Sequence, residues 1–351
     1  MTESSATSTK KTIKLKKTFL DRTVHTMATD FKPKIVEELE ALYWADLYRE
    51  KPFQARAYET ALEALKGLGP IRSVDDTKGV KGLGAKIQQK IQEIITTGSL
   101  AAAQEVRTTL PLEAFRVLQG VHGIGPKKAI QLIGKGITTI AQLREASEAD
   151  SKLTAAQKLG LQYYEDSQLR IPRAEMEEHE NTILEGLDPQ FRGTVVGSYR
   201  RGAASSGDID VLLTLPNAMP TKDQQALFKH MIELFQEVDY IVGTLSSGGT
   251  KFLGYCRLEG HPVRRLDLLM IPQSEYACAI LYFTGSQQFN VAFRSYALEK
   301  GYTLNEHRLE ATKEGVPEVP PFETEQDIFA FLGLQFVEPP MRRDGADVRP
   351  L

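Results

Sequence analysis

The sequence predicts an α+β protein in which a helical N-terminal half precedes a half built on an antiparallel or mixed sheet. Three observations carry this. From Lys34 to about Leu169 apolar residues recur at helical spacing, as in Ile35, Leu39, Leu42, then Tyr58, Leu62, Leu65, then Ile87, Ile91, Ile94, Ile95. Around Thr194 the pattern changes to short β-branched or apolar runs, TVVG, DIDVLLTL and RRLDLLMI. One strongly amphipathic stretch, near Asp223 to Val238, falls among those runs, which is the arrangement of helices laid on a sheet.

Taken in order, the first 25 or so residues are rich in Ser, Thr and Lys and lack periodic apolar spacing, so a basic tail is expected there. It suits nuclear import, DNA contact or simple solvation equally. Gly67, Gly69 and Pro70 separate two of the helices that follow, and Gly98 ends another. After Ile271 a helix is expected over Asn290 to Lys300, with short strands and proline-rich turns near Pro317 to Pro321.

A chain of 351 residues with 41% apolar content can form two or three folding units. It contains no run of roughly 18 to 20 apolar residues and no hydrophobic signal core, which points to a soluble intracellular protein, nuclear if the cell is eukaryotic. Cys256 and Cys278 both sit in apolar, strand-like sequence and are expected as core residues, which argues against a disulfide or a zinc site. Net charge is −3, so any affinity for nucleic acid must come from local patches.

Two such patches repeat. GVKGLGAKIQQKI (Gly79 to Ile91) and GVHGIGPKKAIQLI (Gly120 to Ile133) share the order hydrophobe, x, Gly, hydrophobe, Gly, and then a helix bearing lysines. Gly82, Gly84, Gly123 and Gly125 permit close backbone approach, and the helix N-termini behind them present free N–H groups to an anion. One copy alone is as easily a plain turn. Two copies, with Lys86 and Lys90 in one and Lys127 and Lys128 in the other, favour a grip on a phosphate backbone.

The chemistry is concentrated in GSYRRGAASSGDIDVLL (Gly197 to Leu213). Asp208 and Asp210 lie two apart on an expected strand, so both carboxylates leave one face, where their repulsion favours a bound divalent cation. Upstream, Gly197 and Ser198 open a turn fit to hold a phosphate, with Arg200 and Arg201 as cationic forks. Asp267, in RRLDLLMIP, is a third acid among leucines, where an unpaired charge is costly and metal coordination explains it better.

These motifs resemble family X DNA polymerases of the beta and lambda type, and the likeness covers nearly the whole chain after the tail. It implies a basic tail at 1–28, a helical lyase-type domain at 29–108, fingers with a helix-hairpin-helix motif at 109–171, a nucleotidyltransferase palm at 172–271 and an α+β thumb at 272–351. By this likeness no interaction domain is expected ahead of these, a minimal beta-like architecture, while some palm and thumb details lean toward lambda. The resemblance further implies two Mg2+ ions, replaceable by Mn2+, held by Asp208, Asp210 and Asp267. Gly197, Ser198, Arg201, Ser206, Gly207, Tyr282, Phe283, Gly285 and Asn290 would bind the dNTP, with Tyr282 and Phe283 excluding a ribose 2′-hydroxyl. Those two aromatics follow Asp267 by 15 and 16 residues.

By the same likeness, Lys127, Lys251 and Arg294 contact DNA, Glu306 lies near the template side, and Na+ or K+ binds backbone carbonyls near Val80, Leu83, Val121 and Ile124. Lys90 corresponds to the lysine that forms a Schiff base with the abasic sugar. Lys86 beside it would favour the neutral amine, and Arg56 and Tyr58 would complete that pocket. Gln54 stands where a cation is expected in the beta-type enzyme, and Leu269 stands where an arginine is expected, which is closer to lambda. Gapped or nicked DNA, dNTPs, and a ligase or repair scaffold are the expected partners of a monomer. Two other readings remain: a template-independent nucleotidyltransferase, and a DNA-binding or lyase module with an inactive polymerase site.

Overall fold

The computed structural model describes residues 29–150, 153–216 and 218–351, without the side chains of 149 and 150. The expected basic tail lies outside the described residues. The chain forms two compact units, Met1–Phe115 and Arg116–Leu351.

The first unit is helical, as its apolar spacing predicts. Helices Lys32–Tyr48, Pro52–Lys66, Ala85–Thr97 and Ala101–Thr109 bury Ile35, Leu39, Leu65, Ile91 and Ile94 in one core. The second helix stops at Gly67, and the third at Gly98, whose φ of 78° is the left-handed geometry that glycine adopts without steric cost. Glu38 is fully buried yet paired with both Lys34 and Arg107.

In the second unit, helices Pro126–Gly134, Ile140–Asp150 and Ala155–Gln162 precede the sheet. Strands β1 (Ile171–Pro172) and β3 (Ser205–Ser206) form a small ribbon. The main sheet contains β2 (Arg192–Val195), β4 (Ile209–Thr214), β5 (Ile241–Ser247), β6 (Lys251–Cys256) and β7 (Arg264–Met270), in the order β2-β4-β7-β6-β5. The β4/β7 pair is parallel and the others antiparallel, so the sheet is mixed.

Alternation along the strands sorts side chains onto two faces. Val211, Leu213, Leu266, Leu268 and Met270 join helices Arg173–Glu185 and Thr221–Glu237 in the main core. Asp210, Arg265, Asp267 and Leu269 take the opposite face. A third core gathers helix Gln287–Glu299, the β8/β9 hairpin (Tyr302–Leu304 and Leu309–Ala311) and helix Glu325–Phe331.

One expectation is corrected. Cys278 lies in helix Tyr276–Thr284, not in a strand. Short apolar runs do not distinguish a buried strand from a helix buried on every side, and seven of this helix's nine residues are buried. Cys256 is in β6 as expected, and both thiols are buried and free. Among the described residues no helix is long and apolar enough to cross a membrane.

Candidate active site

The site begins with strand register. Asp210 of β4 sits directly opposite Asp267 of β7 in a parallel pair, so their side chains leave the same face of the sheet as neighbours. Asp208 lies in the bend just before β4, and not on the strand itself, two residues from Asp210 on the same side. Burial and the repulsion of Asp208 and Asp267 push the Asp210 carboxyl up to about 7. Asp208 is raised as well, first by burial and then by Asp267, with Arg265 and Arg170 opposing the shift.

The turn expected to hold a phosphate is a single helical turn, Gly197–Arg200, entered at the end of β2. Gly197 has φ of 64°, and a Cβ there would lie 3.0 Å from Asp210 Oδ2. Glycine is therefore what lets the turn approach the carboxylate. Ser198 Oγ is 3.1 Å from Ser206 Oγ of β3, which joins the turn to the ribbon that carries Gly207 and Asp208. Arg201 donates to the Thr284 carbonyl at 2.6 Å, and a Cβ on Gly285 would lie 3.3 Å from Arg201 Nη1. Arg200 points elsewhere: it donates to Thr284 Oγ1 at 2.6 Å and to Glu325 at 2.7 Å.

The residues expected to select the nucleotide adjoin this edge. Tyr282 and Phe283 meet edge to face at 5.2 Å, half-buried at the end of helix Tyr276–Thr284. Asn290 donates to the Tyr282 carbonyl at 2.7 Å, and Ser286 caps the helix that carries Asn290 and the exposed Arg294. Leu269 packs beside Val196, Leu212, Tyr276 and Ile280, so the acidic face becomes apolar one step past Asp267. Lys251, exposed, pairs with Leu269 across β6 and β7. Glu306 is half-buried in the turn between β8 and β9.

Asp267 is not the unpaired acid that its leucine neighbours suggest, because Leu266 and Leu268 face the opposite side. Its Oδ1 accepts from Arg265 Nη2 at 2.9 Å. Sequence reasoning missed Arg265, although its place two residues before Asp267 on a strand puts it on the same face. It also missed Arg170, which donates to Ser205 Oγ at 3.2 Å and approaches Gly207. Among the described residues no three His, Cys, Asp or Glu side chains close into a metal-sized cluster. The donor set nonetheless fits a hard divalent cation, because three carboxylates share one edge, where burial first and then their mutual repulsion raise Asp208 and Asp210.

A cleft of about 530 Å³ opens beside Asp208 and Gly207, lined by the second glycine hairpin from Gln119 to Gly125 and by Tyr255 and Arg265. Gly123 has φ of 81°, and its carbonyl accepts from Gln157 Nε2 at 2.7 Å. Val121 and Ile124 are buried in the turn, the Ile124 N–H donating to the Val121 carbonyl. Gly125 leads into the following helix with Pro126 at its start and Lys127 exposed.

The first hairpin, in the other unit, has the same form. Gly82 has φ of 97°, and a Cβ there would lie 3.2 Å from Thr60. The Leu83 N–H donates to Val80, and Gly84 begins helix Ala85–Thr97. Lys86 is exposed and Lys90 half-buried one turn later. Gln54 and Arg56 are exposed on helix Pro52–Lys66. Tyr58 is half-buried there, and burial and the charge of Asp46 raise its hydroxyl pKa.

Four domain families match the chain in succession. They are a helix-hairpin-helix domain over 31–100, the fingers domain of DNA polymerase lambda over 116–168, the DNA polymerase beta palm over 170–273 and the DNA polymerase beta thumb over 279–343. The chain is 33% identical over 334 residues to DNA polymerase lambda of Rattus norvegicus, covering 90% of this chain and 57% of that protein. It is 33% identical over 288 residues to DNA polymerase lambda of Arabidopsis thaliana, covering 77% of this chain and 54% of that one. The chain thus spans a little over half the length of these relatives.

Proposed function

The chain belongs to family X of the DNA polymerases, the group of the beta and lambda enzymes, and on that premise we propose that it fills short gaps in DNA during repair, adding template-directed nucleotides to a primer 3′-hydroxyl. The observation that carries this reading is the register of Asp210 against Asp267, with Asp208 on the same edge and the Gly197 turn against Asp210.

In this reading Asp208, Asp210 and Asp267 would hold two magnesium ions, with Asp267 serving the primer side, and manganese could substitute. When bound, the ions neutralise charge on the attacking and departing oxygens. The protein's own groups do the positioning. Ser198, Arg201 and the Ser206–Gly207 backbone hold the triphosphate beside the acids. Tyr282, Phe283, Gly285 and Asn290 set the sugar and base, and Arg294 and Lys251 meet DNA. Orientation and fixed charge supply most of the rate. The hairpins hold the DNA backbone through Gly82, Gly84, Gly123 and Gly125, with Lys86 and Lys127 as further contacts and a monovalent ion at each turn. A ligase or repair scaffold would complete the work, in the nucleus of a eukaryotic cell.

The test is extension of a one-nucleotide gap against each of the four template bases, with and without magnesium. Only the complementary nucleotide should be added, and only with the metal. Equal use of all four nucleotides would instead mean template-independent transfer.

We also assign a 5′-deoxyribose phosphate lyase to the first unit, with Lys90 as the amine and Arg56 and Tyr58 on the sugar phosphate. The Lys86 and Lys90 pair on one helix face, behind a backbone-gripping turn, supports it. Borohydride should trap the parent on an incised abasic site and not trap Lys90→Ala. Equal trapping of the variant would assign the chemistry to another amine.

A further inference from the structure

The second hairpin reaches the acidic edge through one side chain. Arg265 Nη1 lies 3.0 Å from His122 Nδ1, while Nη2 of the same guanidinium lies 2.9 Å from Asp267 Oδ1. An arginine only donates, so His122 Nδ1 accepts and the imidazole is neutral with its proton on Nε2. Burial, together with the neighbouring guanidinium, lowers the basicity of His122, which suits that state.

Both ends of this bridge are fixed. A Cβ on Gly160 would lie 2.9 Å from both the Cβ and the backbone nitrogen of His122, so only glycine lets helix Ala155–Gln162 press against the hairpin at this residue. The same helix holds the next residue, through Gln157 on the Gly123 carbonyl. At the other end, Arg265 and Asp267 share one strand face. The fork is held by its two Nη groups, since the buried Arg265 Nε has no partner among the described residues.

We propose that His122 is a positioning residue that holds Arg265 on Asp267, so that the hairpin sets how firmly the third carboxylate is occupied by a protein cation. This rests on the polymerase reading of the three acids. Without an acceptor at position 122, the guanidinium gains rotamer freedom and its hold on Asp267 weakens. A divalent cation then competes for Asp267 against a weaker rival.

The test is a titration of the full chain with Mn2+, free of DNA and nucleotide, followed by electron paramagnetic resonance of the unbound ion. His122→Leu fills the space without an acceptor and should tighten Mn2+ binding about two- to fivefold, the scale of one partly exposed ion pair. His122→Asn keeps an acceptor near the place of Nδ1 and should restore the parent affinity. A purely structural role would change thermal stability and leave the affinity alone.

Equal Mn2+ affinity in parent and His122→Leu, or the same change in Leu and Asn variants, overturns the proposal. Asp210→Asn separates the two levels. If the parent shows no Mn2+ binding that Asp210→Asn removes, the polymerase reading falls and this inference with it. If it does, and His122→Leu changes nothing, the inference alone falls.

Discussion

The two faces of the central sheet obey opposite rules, although they are built from alternate residues of the same strands. On one face Val211, Leu213, Leu266 and Leu268 are completely buried under two helices, and stability comes from apolar area removed from water. On the other, Asp208, Asp210 and Asp267 share an edge with one bridging arginine, and two of these acids have raised pKa values. A one-residue shift of register would exchange the faces. Strand period therefore places the charge, and the apolar face stabilises a fold that must tolerate it.

The largest test of this contrast is Asp210→Asn. It should lower gap filling by roughly 10²–10³-fold or more, on the scale of removing a charge-stabilising group from an active site. In chelator-treated protein at neutral pH it should raise the melting temperature, because it removes one of three mutually repelling carboxylates. Loss of both activity and stability together would mean that Asp210 belongs to the supporting face, and the contrast would break.

The faces should also respond to pH with opposite sign. His179, fully buried beneath the apolar face, is pushed down to about 4, mainly by burial. Below its ordinary value near 6.5 the unfolded chain takes up a proton that the folded chain refuses. Its contribution is therefore complete above pH 6.5 and is lost as pH falls toward 4, about 3 kcal/mol in all. Asp210 is raised, so its contribution is complete below the ordinary value of 3.8 and is lost as pH rises toward 7. Denaturant titrations of metal-free parent and Asp210→Asn should then agree near pH 4 and diverge toward pH 7, with the variant the more stable. A constant difference across that range would show that the repulsion is not titrating.

Much of the acidic face was legible in the sequence, because it depends on local rules. The two-residue spacing of Asp208 and Asp210 points both to one side, and the Gly-Ser turn upstream is the turn that approaches Asp210. Distant pairing was not legible. Nothing in the sequence aligns Asp210 with Asp267, a register fixed by which strands lie adjacent. His122 read only as the variable position of a glycine hairpin, and its link to Arg265 joins residues 143 positions apart. Arg265 carried a usable signal that was missed. Helix Tyr276–Thr284 was misread as a strand because burial on all sides removes the periodicity that identifies a helix.

The smallest effect concerns how the apolar face accommodates its own polar groups. His179 Nδ1 is 2.9 Å from the Tyr240 hydroxyl, and Cys256 Sγ is 3.9 Å away, with the thiol pushed up to about 12, mainly by burial. Among the described residues His179 Nε2 has no hydrogen bond, and the Glu175 carboxylate 3.7 Å away is engaged with Arg264. Tyr240→Phe should therefore cost about 1 kcal/mol, the net worth of one buried hydrogen bond. The phenyl ring still packs against Phe235, so the area buried is nearly unchanged. Because the change lies beneath the apolar face, metal affinity and gap filling should match the parent once the protein is folded. A Tyr240→Phe variant with parental stability but altered magnesium dependence would show that the two faces are coupled through the sheet, and that their separation is less complete than the burial pattern implies.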